Sequence, residues 1–307
     1  MYHTIVTILN KSPKIKFFLK KINPKNIIIT IKKKYQILFY KSYTTSELIN
    51  HLKKMGLSKN KHIFLHSSWD QFFHYQGSPK ELIEAILNEI GPEGTLAMPA
   101  FPEDRNPTNI FNVKRTPSGA GFITEMFRRY PGVLRSINLI HSVTAIGNQA
   151  EYLTKDHHLS KTPWDEYSPY YRLKEIDALI IGLGVGKNLS IATALHCIDS
   201  LLRNKLPFFA NILNKTITYN YKDYDGNIKS HTLIVRKHSI LNTKNISKHM
   251  DKSQFIENKI SNLDVYSIPA QYLINKTLDL AKKGITMYTY PKPKKELFIP
   301  FSKSKKC

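Results

Sequence analysis

Ile63-Phe64-Leu65-His66-Ser67-Ser68, then Ser78-Pro79 opening a run with Leu82, Ile83, Ile86, Leu87 and Ile90, then Gly91-Pro92 and Thr95-Leu96-Ala97-Met98-Pro99: this order decides the fold class. A short apolar run bounded by polar residues reads as a buried strand. Apolar residues three and four apart, with Pro at the first helical position and Gly-Pro behind them, read as a helix packed on one face. The next apolar run is again a strand. Upstream, Thr44-x-x-Glu47 is a capping box for a helix with Leu48, Leu52 and Met55, closed by Gly56. Downstream, the pattern predicts helices near 121–130, 169–176, 191–202 and 271–282, and strands near 133–135 and 178–184. Asp225-Gly226 between Thr216–Tyr221 and Ser230–Val235 predicts a β-hairpin. Helices alternating with apolar strands give an α/β class: a layered α/β/α fold with a central mixed sheet and a β-rich C-terminal portion.

The chain has 307 residues, 41% of them hydrophobic, enough for a substantial core. No apolar run approaches the roughly 20 residues of a membrane helix. Two cysteines, Cys197 and Cys307, exclude a disulfide scaffold and a cysteine zinc site, and fit a reducing cytoplasm. The net charge of +23 is concentrated at the ends. Residues 1–43 hold ten lysines and no acid, and residues 291–307 hold six lysines against Glu296, which leaves +8 for the body. The expected organisation is a basic N-terminal extension, 1–43, one folded domain, 44–290, and a basic tail, 291–307. A cleavable leader is not expected in the lysine-broken extension. Contact with an anionic membrane surface through 1–43 stays open beside a plain appendage. No helix-turn-helix, zinc-finger or RNP-like pattern accompanies the charge, so nucleic acid is not an expected partner.

Most standard catalytic signatures are absent from the sequence. Gly182-x-Gly184-x-Gly186 lacks the later glycine of a dinucleotide fingerprint, and no His-Glu-x-x-His or other metal-ligand spacing occurs, so no metal is expected. Four segments carry possible chemistry. Ser67 and Ser68, after a strand, could hold a phosphate or an oxyanion, or be an ordinary strand exit. Thr116-Pro117-Ser118-Gly119-Ala120-Gly121 could bind the phosphates of a coenzyme, or be a simple helix N-cap. His196 and Asp199, three apart on one helix face, could be a general base with its orienting carboxylate, or a solvated surface pair. His141-Ser142 is the rival.

Taken in order, these segments resemble a known family. His66-Ser67-Ser68 and Met98-Pro99-x-Phe101 come first. The central motif runs Thr116-Pro117-Ser118-x-x-Gly121-x-x-Thr124-Glu125-x-Phe127-Arg128-Arg129-x-Pro131-Gly132-Val133-x-Arg135-Ser136, then His141-Ser142-Val143-x-Ala145-x-Gly147. Ser168-Pro169-Tyr170-Tyr171-Arg172-Leu173, Leu179-Ile180-Ile181-Gly182 and Thr193-Ala194-Leu195-His196-Cys197-Ile198-Asp199 follow. The order is similar to that of the aminoglycoside 3-N-acetyltransferase family, across roughly residues 44–290. The resemblance implies a cytoplasmic acyltransferase that moves acetyl from acetyl-CoA to an amine of an aminosugar, on an antibiotic or a surface glycan. It implies His196 as general base with Asp199 beside it and His141 near the same pocket. It also implies coenzyme contacts at Ser67, Ser68, Thr116, Ser118 and Gly121, and no metal. Asp165 and Glu166 are local acids that could receive the cationic acceptor. Two departures stand out: Asn138-Leu139 where the family commonly has His-Pro, and Asp199 where it usually has Glu. Cys197 is expected in the core. The competing class is a non-catalytic basic protein that binds nucleic acid or an anionic membrane surface.

Overall fold

The computed structural model describes residues 39–304. The basic extension expected over 1–43 lies almost wholly outside the described residues. The body is a three-layer α/β/α unit. In chain order its principal elements are α1 (Thr45–Lys53), β1 (His62–Ser67), α2 (Pro79–Ile90), β2 (Thr95–Pro99), β3 (Phe111–Asn112), α3 (Phe122–Arg128), β4 (Leu134–Arg135), β5 (Val143–Gly147), β6 (Leu179–Leu183), α4 (Cys197–Arg203), α5 (Pro207–Ile212), β7 (Leu213–Lys222), β8 (Ile228–Arg236), β9 (Ile240–Leu241), β10 (Ile256–Ile260), β11 (Leu263–Pro269), α6 (Ala270–Lys282) and β12 (Tyr288–Tyr290).

The central sheet has seven strands in the order β10-β11-β6-β1-β2-β5-β4. β6, β1 and β2 are parallel, and the flanking strands join antiparallel, so the sheet is mixed as expected. The strand pleat sorts its side chains into two cores. Phe64, Ala97, Val143, Ala145, Ile180, Tyr266 and Ile268 face the layer holding α4, α5 and α6. Ile63, Leu65, Leu96, Met98, Ile181, Leu183 and Val265 face α1, α2 and α3. Leu82, Ile83, Ile86 and Ile90 of α2 are all buried there, each worth about 1.5–3 kcal/mol relative to exposure.

Both expected capping boxes form: Thr44 with Glu47 on α1, and Ser78 with Glu81 on α2. β7 and β8 make the hairpin around Asp225-Gly226, joined by β3 into a small sheet. Phe111, Val113, Leu139, Tyr219, Tyr221, Leu233 and Val235 form its own core. The helix expected over 191–202 is shorter. Asn188, Leu189 and Ile191 have positive φ, so the chain enters through a 3-10 turn, Thr193–His196, before α4 begins at Cys197. The helix expected over 169–176 ends at Arg172. β10 and β11 were not expected from the sequence. No helix among the described residues is long and apolar enough to cross a membrane.

Candidate active site

Three parallel strands end at the same edge of the sheet, where α/β folds place their sites. The loop after β1 carries Ser67 and Ser68, the long segment after β2 carries Phe101 through Gly121, and the chain after β6 leads to His196. Ser68 N–H donates to Leu183 O at 3.0 Å, tying the ends of β1 and β6 together. Gly182 of β6 pairs with His66 on one side and Tyr266 on the other, so it belongs to the sheet.

His196 and Asp199 do come together. His196 Nδ1 lies 2.9 Å from Asp199 Oδ2, and Asp199 is fully buried. Tyr288 of β12 donates its hydroxyl to the same oxygen at 2.5 Å. Burial and the adjacent Asp199 push the Tyr288 phenol well above its usual value, so it remains a donor. With the proton on Nδ1 held toward Asp199, the other imidazole nitrogen is the one available to a substrate. Arg236, the last residue of β8, lies against the imidazole, with Nη1 3.1 Å from His196 Nδ1 and 2.9 Å from Nε2, and so sits over the ring and not on the in-plane lone pair of Nε2. Burial and then Arg236 lower the His196 pKa below its ordinary value, and Asp199 opposes them.

Trp164 holds both candidate histidines. His196 stacks on it at 4.7 Å between centroids, and His141 lies against it at 4.8 Å, with Phe101 and Tyr170 further around His141. His141 is pushed far below the ordinary histidine range by burial, then by Arg105, His196 and Arg236, so it is neutral. Its Nδ1 is buried without a hydrogen-bond partner, as is Trp164 Nε1. Asn138 Oδ1 accepts from Ile140 N–H and His141 N–H, which fixes the turn presenting His141. Leu139 is buried in the hairpin core. The Asn138-Leu139 departure therefore serves the turn behind the histidine. His66, on the same sheet face, is buried with neither ring nitrogen paired, and burial lowers its pKa to about 3.

The expected coenzyme segments also meet. Gly121 has φ +140, and a Cβ there would point toward Ser67 O at 3.6 Å, so the start of α3 lies beside the β1 loop. Gly119 packs on Glu103, where a Cβ would stand 2.5 Å from the backbone. Thr116 and Ser118 spend their hydroxyls inside the turn. Thr116 Oγ1 accepts from Asn112 N–H, and Ser118 Oγ pairs with Thr124 Oγ1 and accepts from Ala120 N–H. What faces outward is the Ser67-Ser68 loop and the first amides of α3, ahead of the first intrahelical bond from Glu125 N–H to Gly121 O.

Glu125, Arg105, Trp164, Arg236 and Tyr288 went unassigned in the sequence reading. Glu125 is the buckle of the α3 turn: it accepts from Ser118 N–H, Arg128 and Arg129 at 2.7–2.8 Å. Burial would raise its carboxyl, but these hydrogen bonds, Arg128 foremost, bring it down to about 2. Asp165 proves to hold its own loop. Its Oδ2 accepts from Lys161 and Thr162 N–H at 2.7 and 2.9 Å, and Oδ1 from Tyr167 N–H at 3.3 Å. It sets the loop that carries Trp164, and Glu166 next to it is exposed. Cys197 is buried, and burial pushes its thiol up, as expected of a core residue.

The layered α/β unit thus places the His196–Asp199 pair and the turn before α3 on loops that leave the sheet. The aminoglycoside 3-N-acetyltransferase family profile matches residues 64–281, well over half of the chain, and the chain belongs to that family. It is 33% identical over 164 residues to aminoglycoside N(3)-acetyltransferase IV of Salmonella sp, covering 53% of this chain and 60% of that protein. It is 26% identical over 194 residues to the SPbeta prophage-derived aminoglycoside N(3')-acetyltransferase-like protein YokD of Bacillus subtilis strain 168, covering 56% and 68%. The first match thus spans three fifths of its relative's length. A crystal structure of a mutant aminoglycoside acetyltransferase AAC(3)-IVa in complex with a gentamicin superposes with a TM-score of 0.68 at 24% identity, over 83% of this chain and 95% of that one. AAC-IIIb in binary complex with CoASH gives 0.68 at 20% identity, over 80% and 98%. These two show a shared fold.

Proposed function

We propose that the protein is an N-acetyltransferase that uses acetyl-CoA to acetylate an amine of an aminosugar. The observation that carries this is the buried Tyr288–Asp199–His196 chain, in a member of this family, beside the turn that meets the β1 loop. In this reading His196 Nε2 takes the proton as the amine nitrogen bonds to the thioester carbonyl carbon. The C–S bond then breaks and the coenzyme thiolate leaves, taking up a proton. Asp199 and Tyr288 fix the imidazole tautomer and orientation. A positioned base of this kind contributes about 10²- to 10⁴-fold, and holding both substrates together supplies a further large share of the barrier reduction.

Coenzyme phosphates would lie at the Ser67-Ser68 loop and the first amides of α3, with Thr116, Ser118 and Gly121 shaping the turn. Buried hydroxyl and carboxylate partners hold that turn rigid before any ligand arrives. No residue set in this account calls for a metal. The reaction suits the cytoplasm, where acetyl-CoA is available. Thiol release from acetyl-CoA, measured with a panel of aminosugars and aminoglycosides, tests the reading. Acceptor-dependent release with an N-acetylated product is expected. No release with any amine, together with no coenzyme binding, would refute it.

A further inference from the structure

We infer that His157 and His231 are positioning residues for the base: each, as a neutral ring protonated on Nε2, holds a carbonyl of the stretch 160–163 and so sets Trp164 against His196. This rests on the acetyl-transfer reading above and names what holds its corner in place. Ser160 and Pro163 bound the stretch that leads into Trp164, and Trp164 stacks on His196 at 4.7 Å between centroids. His157 Nε2 donates to Pro163 O at 3.2 Å, and His231 Nε2 donates to Ser160 O at 2.8 Å. Between them Lys161 O accepts from Ile234 N–H at 2.8 Å, and Asp165 accepts from the Lys161 and Thr162 amides. The backbone leading to the indole is thus bonded at every residue from 160 to 163, although Trp164 Nε1 itself is unpaired.

One arrangement recurs in both rings. A carbonyl oxygen has no proton to give, so Nε2 carries one in each. At Nδ1 a hydroxyl decides whether the ring is neutral, and a backbone amide directs that hydroxyl. Val143 N–H donates to Ser136 Oγ at 2.9 Å, which turns the Ser136 proton toward His157 Nδ1, also 2.9 Å away. Leu139 N–H donates to Tyr219 Oη at 3.2 Å, which turns the phenol proton toward His231 Nδ1 at 3.0 Å. Nδ1 accepts in both. Ser136, Leu139 and Val143 flank His141 in the chain, so the two relays tie the turn that presents His141 to the stretch that presents Trp164.

Neutrality is a condition of this arrangement. A second ring proton, on Nδ1, would face a hydroxyl that already accepts from an amide, and the hydroxyl proton would lose its acceptor. Ser136, His157 and Tyr219 are buried, so a group left unpaired there is costly. The surroundings agree in sign. Burial lowers the His157 pKa to about 3; Pro163 O opposes it, and His231, Arg172 and His158 add to it. Burial also lowers His231, with Ser160 O and Asp165 opposing and His158 adding.

The test reads the emission of Trp164, made the remaining tryptophan by Trp69→Phe, together with turnover. His157→Leu and His231→Leu remove the donor to the carbonyl. Each should lower kcat by about tenfold or more, the cost of a slightly misplaced group, and shift the Trp164 emission, with the KM for acetyl-CoA unchanged. His157→Gln and His231→Gln keep an N–H donor near the place of Nε2 and should recover most of both. Wild-type kcat and emission in folded Leu variants would overturn the proposal. So would Gln variants no better than Leu, or a loss spread over kcat and the acetyl-CoA KM with emission unmoved, since either would leave the histidines a general structural role. Where a Leu variant fails to fold, long-range proton–nitrogen NMR spectra of the wild type read the tautomers. A bare Nδ1 with a protonated Nε2 in both rings sustains the relays, and a proton on Nδ1 of either overturns them. Emission and NMR need no turnover. A protein that transfers no acetyl group therefore removes the reading above, while the placement of Trp164 stands or falls by these two measurements.

Discussion

The α3 turn and the Trp164 corner sit at one edge of the same sheet and treat their polar groups in opposite ways. In the turn, Ser118 N–H, Ser118 Oγ, Thr116 Oγ1 and the whole Glu125 carboxylate are matched internally. At the corner, His141 Nδ1 and Trp164 Nε1 are buried and unpaired. Buried polar groups without partners cost about 1–3 kcal/mol each. A fold tolerates such a cost where a substrate is to supply the partners. The turn is therefore a frame already set, and in the proposed reading the corner is where proton transfer is completed.

The contrast breaks most sharply at His196. His196→Ala should lower kcat by about 10²-fold or more, the usual worth of a positioned base. Coenzyme affinity should stay near wild type, because the turn is untouched. His141→Ala is the paired control. If it abolished turnover while His196→Ala spared it, the base would move to the other side of Trp164. Steady-state rates and coenzyme titration of both variants decide the matter.

Asp199→Asn should have the next largest effect, roughly tenfold in kcat, since it removes an orienting charge and leaves the proton acceptor in place. Its pH signature is distinct. The base works when neutral, so kcat/KM falls as pH drops through the His196 pKa, which burial and Arg236 already set below the ordinary 6.5. Asp199 is the group that raises this pKa, so its loss should carry the acid limb to still lower pH. An upward move in the pH–rate profile would contradict the assigned pairing.

Legibility in the sequence followed the range of the contacts. The capping boxes of α1 and α2 and the Asp225-Gly226 hairpin are local, and they appear as expected. His196 and Asp199 lie one helical turn apart, so their pairing was visible too. Trp164 and Arg236 reach the same histidine, and Tyr288 its carboxylate partner, from three distant elements, and no spacing announces that. β10 hid because Glu257, Asn258 and Lys259 make it a polar edge strand, paired on one side by β11. The late start of α4 follows from left-handed residues ahead of it, two of which, Leu189 and Ile191, carry no turn signal in their identity. Asp165 was expected to meet a cationic acceptor, and only the fold shows that its oxygens also accept from the backbone of its own loop.

On the other side of the comparison, Glu125→Gln should loosen the frame and leave the corner intact. It replaces a carboxylate held by two arginines and the Ser118 amide. Hydrogen bonds to a charged group are worth about 1.5–3 kcal/mol. Part of that should appear as lower thermal stability, and part as a severalfold higher KM for acetyl-CoA, with kcat nearly unchanged. A kcat loss at constant KM would mean that the turn and the corner are one unit. A thermal melt and a two-substrate initial-rate grid measure both quantities.

The smallest expected effect is at Tyr288→Phe, and its direction is the informative part. The phenol donates to Asp199 Oδ2 at 2.5 Å, sharing that oxygen with His196 Nδ1. Its removal leaves His196 as the remaining hydrogen-bond donor on that oxygen. The carboxylate, less stabilised from outside, should hold the imidazolium more firmly. The His196 pKa should therefore rise toward its ordinary value and the acid limb of kcat/KM should move up, opposite to Asp199→Asn. With the ring retained against Phe208, the change in kcat should be about two- to fivefold, less than one positioned proton-transfer group is worth. Two substitutions on either side of one oxygen would thus displace the same limb in opposite directions. If both moved it the same way, the shift would reflect general loosening of the corner, and the Tyr288–Asp199–His196 chain would lose its role in setting the base.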